Sequence, residues 1–213
     1  MRYLLTTVLL TFSLLTTQAQ TFSQEVWYEG KVVLDTEDTL VGNVRFDLTD
    51  NLLQLETAGG LKAYTSRNVI AFEINDEINK ITRKYYSLPY GIASNYKVPV
   101  FFELLTQGDL TLLCREKLVT ETTPIYGYNP YGYGYGMGRP NYYGTRNRIA
   151  FDFYFGYPNG NIKSFLGNKK DFFYLVKDHQ QDIKEFVREQ KLRYNDRNDL
   201  TKIVTYYNYL KGK

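Results

Sequence analysis

Side-chain catalysis needs nucleophiles, bases or metal ligands within reach of one another, and this chain has few. It has one histidine, His179, and one cysteine, Cys114. A Ser–His or Cys–His pair would have to use His179, and no Gly-x-Ser-x-Gly elbow accompanies it. His179 stands between Asp178 and Gln180 at an expected helix start, where a solvated first-turn side chain is the plain reading. Cys114 shares a strand face with Leu110 and Leu112, which makes it a small core residue rather than a reactive thiol. One Cys and one His are too few for a Cys/His zinc site, and no phosphate-loop or calcium-loop spacing occurs. The carboxylate pairs Glu37/Asp38 and Asp76/Glu77 fall in expected turns, where solvation accounts for them. Glu103 and Asp152 lie inside strands among aromatic residues. Buried there, a carboxyl would have a raised pKa and could serve a hydrolase, but the alternation favours the solvent side for both. No catalytic residue, cofactor or metal site is therefore assigned.

Binding chemistry is concentrated elsewhere. Tyr126 to Gly144 contains seven Tyr, six Gly and two Pro, with Met137 as its only aliphatic side chain. The candidate contact residues are Tyr126, Tyr128, Tyr131, Tyr133, Tyr135, Arg139, Tyr142, Tyr143 and Arg146. No acid occurs between Glu121 and Asp152. Tyrosines offer flat faces and hydroxyls, and arginines add affinity for anions. Another envelope protein or a glycan suits that chemistry; a low-complexity insertion without a specific partner is the alternative. Glycine at nearly every second position makes a strand costly in backbone entropy. Residues 124–147 are accordingly expected to form a loop between two strands.

The elements that must hold this segment are strands. Val26, Tyr28, Val32 and Leu34 alternate with Glu29, Lys31 and Asp35, a period of two. Residues 40–48 repeat the pattern, with Gly42 marking a bulge or a sharp bend that would let the sheet curl. Short strands are expected at 52–57, 61–65 and 69–74, and less regularly at 80–87, ended by Pro89. Residues 98–106 and 110–119 read as a hairpin. Ile149, Phe151, Phe153 and Phe155 mark a core strand, and a turn at Pro158-Asn159-Gly160 leads to a short strand at 161–166. From residue 167 the period becomes helical. Three capping pairs, Asn168/Asp171, Asp178/Gln181 and Asp196/Asp199, each precede an apolar stripe. The fold class expected is α+β: an antiparallel meander or small-barrel-like body with a tail of about three short amphipathic helices. The domain boundaries are 20–166 for the β-rich body and 167–213 for the helical tail packed on it.

The chain has 213 residues, with 21 Tyr and 13 Phe, enough for one domain with a real core. Residues 20–166 carry a net charge of −2 and residues 167–213 of +4, neither large enough to argue for nucleic acid. Met1-Arg2, an apolar run to Leu15 and the small-residue site Thr17-Gln18-Ala19 have the layout of a signal peptide over 1–19. Cleavage after Ala19 is expected, leaving no transmembrane span in the mature chain. The run is too short to cross a bilayer as a helix.

Gly30 to Leu34, Asp38 to Phe46, Tyr64 to Phe72, Gly108 to Leu112 and the ending Ile203 to Asn208 resemble a family of secreted β-rich proteins of the Bacteroidota with no assigned activity. The resemblance implies a location in the envelope, periplasmic or at the outer membrane or cell surface, and a β-rich body with a helical tail. It carries over no catalytic residue. The first five strands also resemble a small SH3-like or Sm-like barrel, an analogy of fold only. The function expected is a non-enzymatic structural or interaction role in the envelope. The alternatives are a small outer-membrane β-barrel, or a hydrolase using strand carboxylates.

Overall fold

The computed structural model describes residues 26–77, 79–92, 96–125 and 142–212. Among these residues ten strands form one antiparallel sheet: β1 (Tyr28–Leu34), β2 (Thr39–Asp47), β3 (Leu52–Thr57), β4 (Gly60–Thr65), β5 (Val69–Asp76), β6 (Ile81–Tyr90), β7 (Val98–Thr106), β8 (Thr111–Ile125), β9 (Tyr142–Gly156) and β10 (Ile162–Phe165). Three helices follow: α1 (Lys169–Leu175), α2 (Gln180–Glu189) and α3 (Arg197–Lys211). The strand order is β10-β9-β8-β7-β6-β5-β1-β2-β3-β4. It is a plain meander except at one place, where β5 returns to pair with β1.

That return forces the sheet to roll. In a flat sheet, β4 and β5 would stand four strand intervals apart, about 19 Å at roughly 4.8 Å each. Only Ser66, Arg67 and Asn68 join them, and the Asn68 N–H bonds back to the Thr65 carbonyl at 3.0 Å. A turn of that kind brings its ends within about 7 Å. The concave side of the roll holds Val32, Val44, Phe46, Leu53, Phe72, Ile74 and Tyr85, each at most 2% exposed. Phe72 and Tyr85 stack there with ring centroids 4.4 Å apart. Gly30 and Gly42 face each other across β1 and β2. A Cβ on Gly42 would stand 2.2 Å from the Glu56 carbonyl oxygen, and one on Gly30 2.4 Å from that of Glu73. The glycines let neighbouring backbones approach in the bend, and the register passes Gly42 without a bulge. The roll stays open: among the described residues β4 pairs only with β3, and the sheet is not the closed barrel of the outer-membrane alternative.

The turns of the roll seal an edge of β7. β8 pairs with β7 only from Leu112 to Cys114 and then diverges. The edge left open on Val98–Phe102 is met by side chains. The Ser66 hydroxyl donates to the Pro99 carbonyl at 2.7 Å, and the Phe101 N–H donates to Asn51 Oδ1 at 3.1 Å. Arg115 donates to the Phe101 carbonyl at 2.9 Å and also to the Leu48 carbonyl. Buried backbone groups need partners, and these loops supply them. β6 continues through Pro89 to Tyr90, beyond the end expected at 87. Pro89 lies opposite Pro99, so the two residues that lack an N–H share one rung.

The helices cover the same face of the sheet at its other end. Leu112, Cys114, Phe153, Phe155 and Phe165 pack against Phe172, Ile183, Leu200, Ile203 and Val204, all 5% exposed or less. Asn168 caps α1 by accepting from the Asp171 N–H, and Asp196 caps α3 by accepting from Asn198 and Asp199. The expected Asp178 cap of α2 is not used. The N-cap is His179, in the left-handed conformation and without a side-chain cap, while Asp178 bonds Lys211 of α3 at 2.9 Å. No helix among the described residues is long and apolar enough to cross a membrane.

Candidate functional site

Two features stand apart from ordinary core packing: a buried ionic seam and a two-stranded ribbon. The seam lies between the rolled end of the sheet and the helix-covered end. Glu103, expected on the solvent side, is 1% exposed. The Arg83 guanidinium grips it twice, Nε to Oε1 at 2.8 Å and Nη2 to Oε2 at 2.9 Å. Arg83 Nη2 also reaches Glu116 Oε1 at 2.7 Å, and Arg197, the first residue of α3, donates to Glu103 Oε1. The sequence pattern placed Glu103 by alternation alone. Its cations come from positions 20 and 94 residues away, which alternation cannot reveal.

The Arg83 charge is held in place by its neighbours. Burial works against the charge on Arg83, but Tyr85, Glu103 and Glu116 outweigh it and hold the group protonated beyond its usual range. Both carboxylates are occupied by guanidinium groups, an arrangement that ties α3 to the sheet. The Cys114 thiol on the same face is pushed up by burial and then by Glu103, which suits a core residue and not a nucleophile. Asp152, by contrast, is half-exposed and pairs with Lys117 at 2.7 Å, on the solvent side as expected. His179 Nδ1 stands 3.4 Å from Asp182. Glu37 and Asp38 are exposed in a turn, whereas Asp76, expected to be solvated, is buried at the end of β5 and accepts from the Asn79 N–H at 3.0 Å.

Burial also acts on the tyrosines. Tyr154 is pushed up to about 12 by burial and then by Asp152, and Tyr85 goes well above its ordinary value by burial and then by Glu103. Both phenols hold their protons more tightly in the folded chain. The stability Tyr154 contributes is intact below about pH 10 and is lost as pH rises toward about 12, and that of Tyr85 is lost on the same alkaline side. Urea unfolding followed across that range should show a falling midpoint, less steep in Tyr154→Phe. An identical slope in that variant would contradict the assignment.

The ribbon is formed by β8 and β9. β9 pairs with β10 only from Phe153 onward, and β8 leaves β7 after Cys114. From Arg115–Asp152 out to Ile125–Tyr142, eleven residue pairs run with no third strand beside them among the described residues. This is about 34 Å of ribbon at roughly 3.4 Å per residue. Side-chain rungs support it: Lys117–Asp152, Thr120–Asn147 at 2.7 Å, and Arg148–Glu121. The loop expected at 124–147 is corrected at both ends, because residues 124–125 and 142–147 are strand. The β-branched and polar residues Thr122, Thr123, Ile125 and Thr145 continue the ladder past the point where glycine content suggested it would stop.

Three candidate contact residues can be placed. Tyr142 lies opposite Ile125, Tyr143 opposite Pro124 and Arg146 opposite Glu121. Tyr143 is 69% exposed, and Arg146, three residues along and therefore on the other face, is exposed too. Tyr126, Tyr128, Tyr131, Tyr133, Tyr135 and Arg139 lie outside the described residues. Leu118, half-exposed on the Tyr143 face, belongs to the same ribbon surface and was not among the candidates; its place in an alternating strand was the signal for it. Comparison with known protein families, with curated proteins and with solved structures gave no match.

Proposed function

We propose that this chain is an exported protein of the cell envelope, that it acts by contact and not by catalysis, and that the β8–β9 ribbon presents the contact surface. The observation that carries this reading is the ribbon's eleven residue pairs with no third strand beside them among the described residues. A lone two-stranded ribbon is marginal in water. A partner laid against it supplies the missing neighbour, and the tyrosines and arginines at its end supply rings and cationic donors. The partner that suits them is another envelope protein or a glycan. The apolar run and small-residue site of residues 1–19 support export.

The test is a shortened ribbon. Residues 121–146 are replaced by an Asn-Gly turn joining Thr120 and Asn147, which already pair. Loop-closure cost changes slowly with length, so the melting temperature should stay within a few degrees of the parent. Association with the native envelope fraction should be lost. Retained association would overturn the proposal, and so would loss of folding, since the ribbon would then be a structural lid.

A further inference from the structure

The outward face of α3 is made by Asn198, Thr201, Lys202, Thr205, Tyr206 and Tyr209, and none of them is acidic. Two open clefts meet on it, because Thr201 and Lys202 line both. The first, about 530 Å³, lies between α3 and the strands β6 and β7. Ile81, Leu104 and Leu105 form its apolar wall, and Arg83, Glu103 and Arg197 its charged floor. The second, about 460 Å³, is bounded by Phe186 of α2 together with Tyr206 and Tyr209.

The two clefts differ in chemistry. The first is lined by Arg83, Arg197 and Lys202 and by one carboxylate, Glu103, while Glu116 pairs with Arg83 from outside the lining, so the group carries one positive charge in excess. Arg197 gives one nitrogen to Glu103, while its Nε is buried without a hydrogen-bond partner among the described residues. A small anion is the complement of that charge. In the second, Phe186 stacks on Tyr206 at 4.2 Å and Tyr206 lies 6.4 Å from Tyr209, which is 57% exposed. An aromatic wall takes the C–H face of a flat ligand. Lys202 and Tyr206 are four residues apart on one helix, so their Cβ atoms are about 6 Å apart, a spacing of the order of one pyranose unit.

We propose that the outward face of α3 binds an acidic oligosaccharide. A uronate carboxylate is taken by Lys202 and Arg197 in the first cleft, and the neighbouring sugar ring lies against Tyr206 and Tyr209 in the second. An acidic peptide would match the charge but not the row of rings. The site touches the ribbon only at its base, through Glu116 and Phe151, and does not depend on the contact role proposed for the part beyond Thr120 and Asn147.

Calorimetric titration of the full chain with hexagalacturonate at low salt tests it, with maltohexaose and hexaglutamate as comparison ligands. Hexagalacturonate should bind most tightly, and added salt should weaken it. Lys202→Gln and Tyr206→Ala should each weaken it about tenfold, the loss expected of one charge-assisted or stacking contact. Tyr174→Ala, on the exposed side of α1, and the shortened ribbon should bind as the parent does. The site is overturned if hexagalacturonate does not bind, if hexaglutamate binds equally well, or if Lys202→Gln and Tyr206→Ala both keep the parental affinity. Lys202 is exposed and outside the core, so its variant remains informative should Tyr206→Ala fail to fold.

Discussion

Glu103→Ala is expected to destabilise the fold by about 3–5 kcal/mol, the cost of leaving buried cations without their carboxylate. For a chain of this length that corresponds to a fall in Tm on the order of 10 °C. The residue carries this weight because it is shared. Arg83 on β6 and Arg197 on α3 both spend hydrogen bonds on Glu103, whose side chain is 2% exposed. Removing it leaves Arg83 with Glu116 as its one remaining carboxylate among the described residues and releases Arg197 from Glu103. Asp152→Ala is the contrast. Its partner Lys117 is 48% exposed, and exposed pairs contribute about 1 kcal/mol or less. Thermal and urea unfolding of both variants decide the matter. Equal effects would mean that the seam is no more than another surface ion pair.

Truncation after Gly167 should produce a chain that aggregates or fails to fold. The helices cover Leu112, Cys114, Phe153, Phe155 and Phe165, which are 5% exposed or less in the intact fold. Burying a Leu or Phe side chain contributes about 1.5–3 kcal/mol. Uncovering this face would therefore remove a large part of the roughly 5–15 kcal/mol that holds a domain together. Further ties are lost with the helices: Arg197 from Glu103, and the Asn208 side chain, which accepts from the Leu110 N–H and donates to its carbonyl. Near-ultraviolet circular dichroism and sedimentation of the truncated chain check this. A monomeric product with the parental melting temperature would show that the helices are an independent unit.

Local pattern made most of the architecture legible. Ile149, Phe151, Phe153 and Phe155 announce a strand by alternation, and Asn168/Asp171 and Asp196/Asp199 announce helix starts by capping chemistry. Gly42 hinted at the bend, and the close approach to Glu56 explains why glycine is needed there. What stayed hidden depends on residues distant in sequence. The roll follows from β5 choosing β1, a pairing that neither strand encodes alone. The burial of Glu103 follows from Arg83 and Arg197 converging on it. The ribbon's length was masked by Gly144 and its tyrosine neighbours, whose composition reads as loop although the ladder continues through them.

The central claim, that the ribbon is the contact surface, is tested most directly by site-specific photo-crosslinking in the native envelope. A photoreactive residue at position 143 replaces the exposed Tyr143 on the ribbon, and one at position 174 replaces the similarly exposed Tyr174 on α1. The account predicts a discrete crosslinked product from position 143 and none from position 174. Crosslinking from 174 alone, or equally from both, would contradict it.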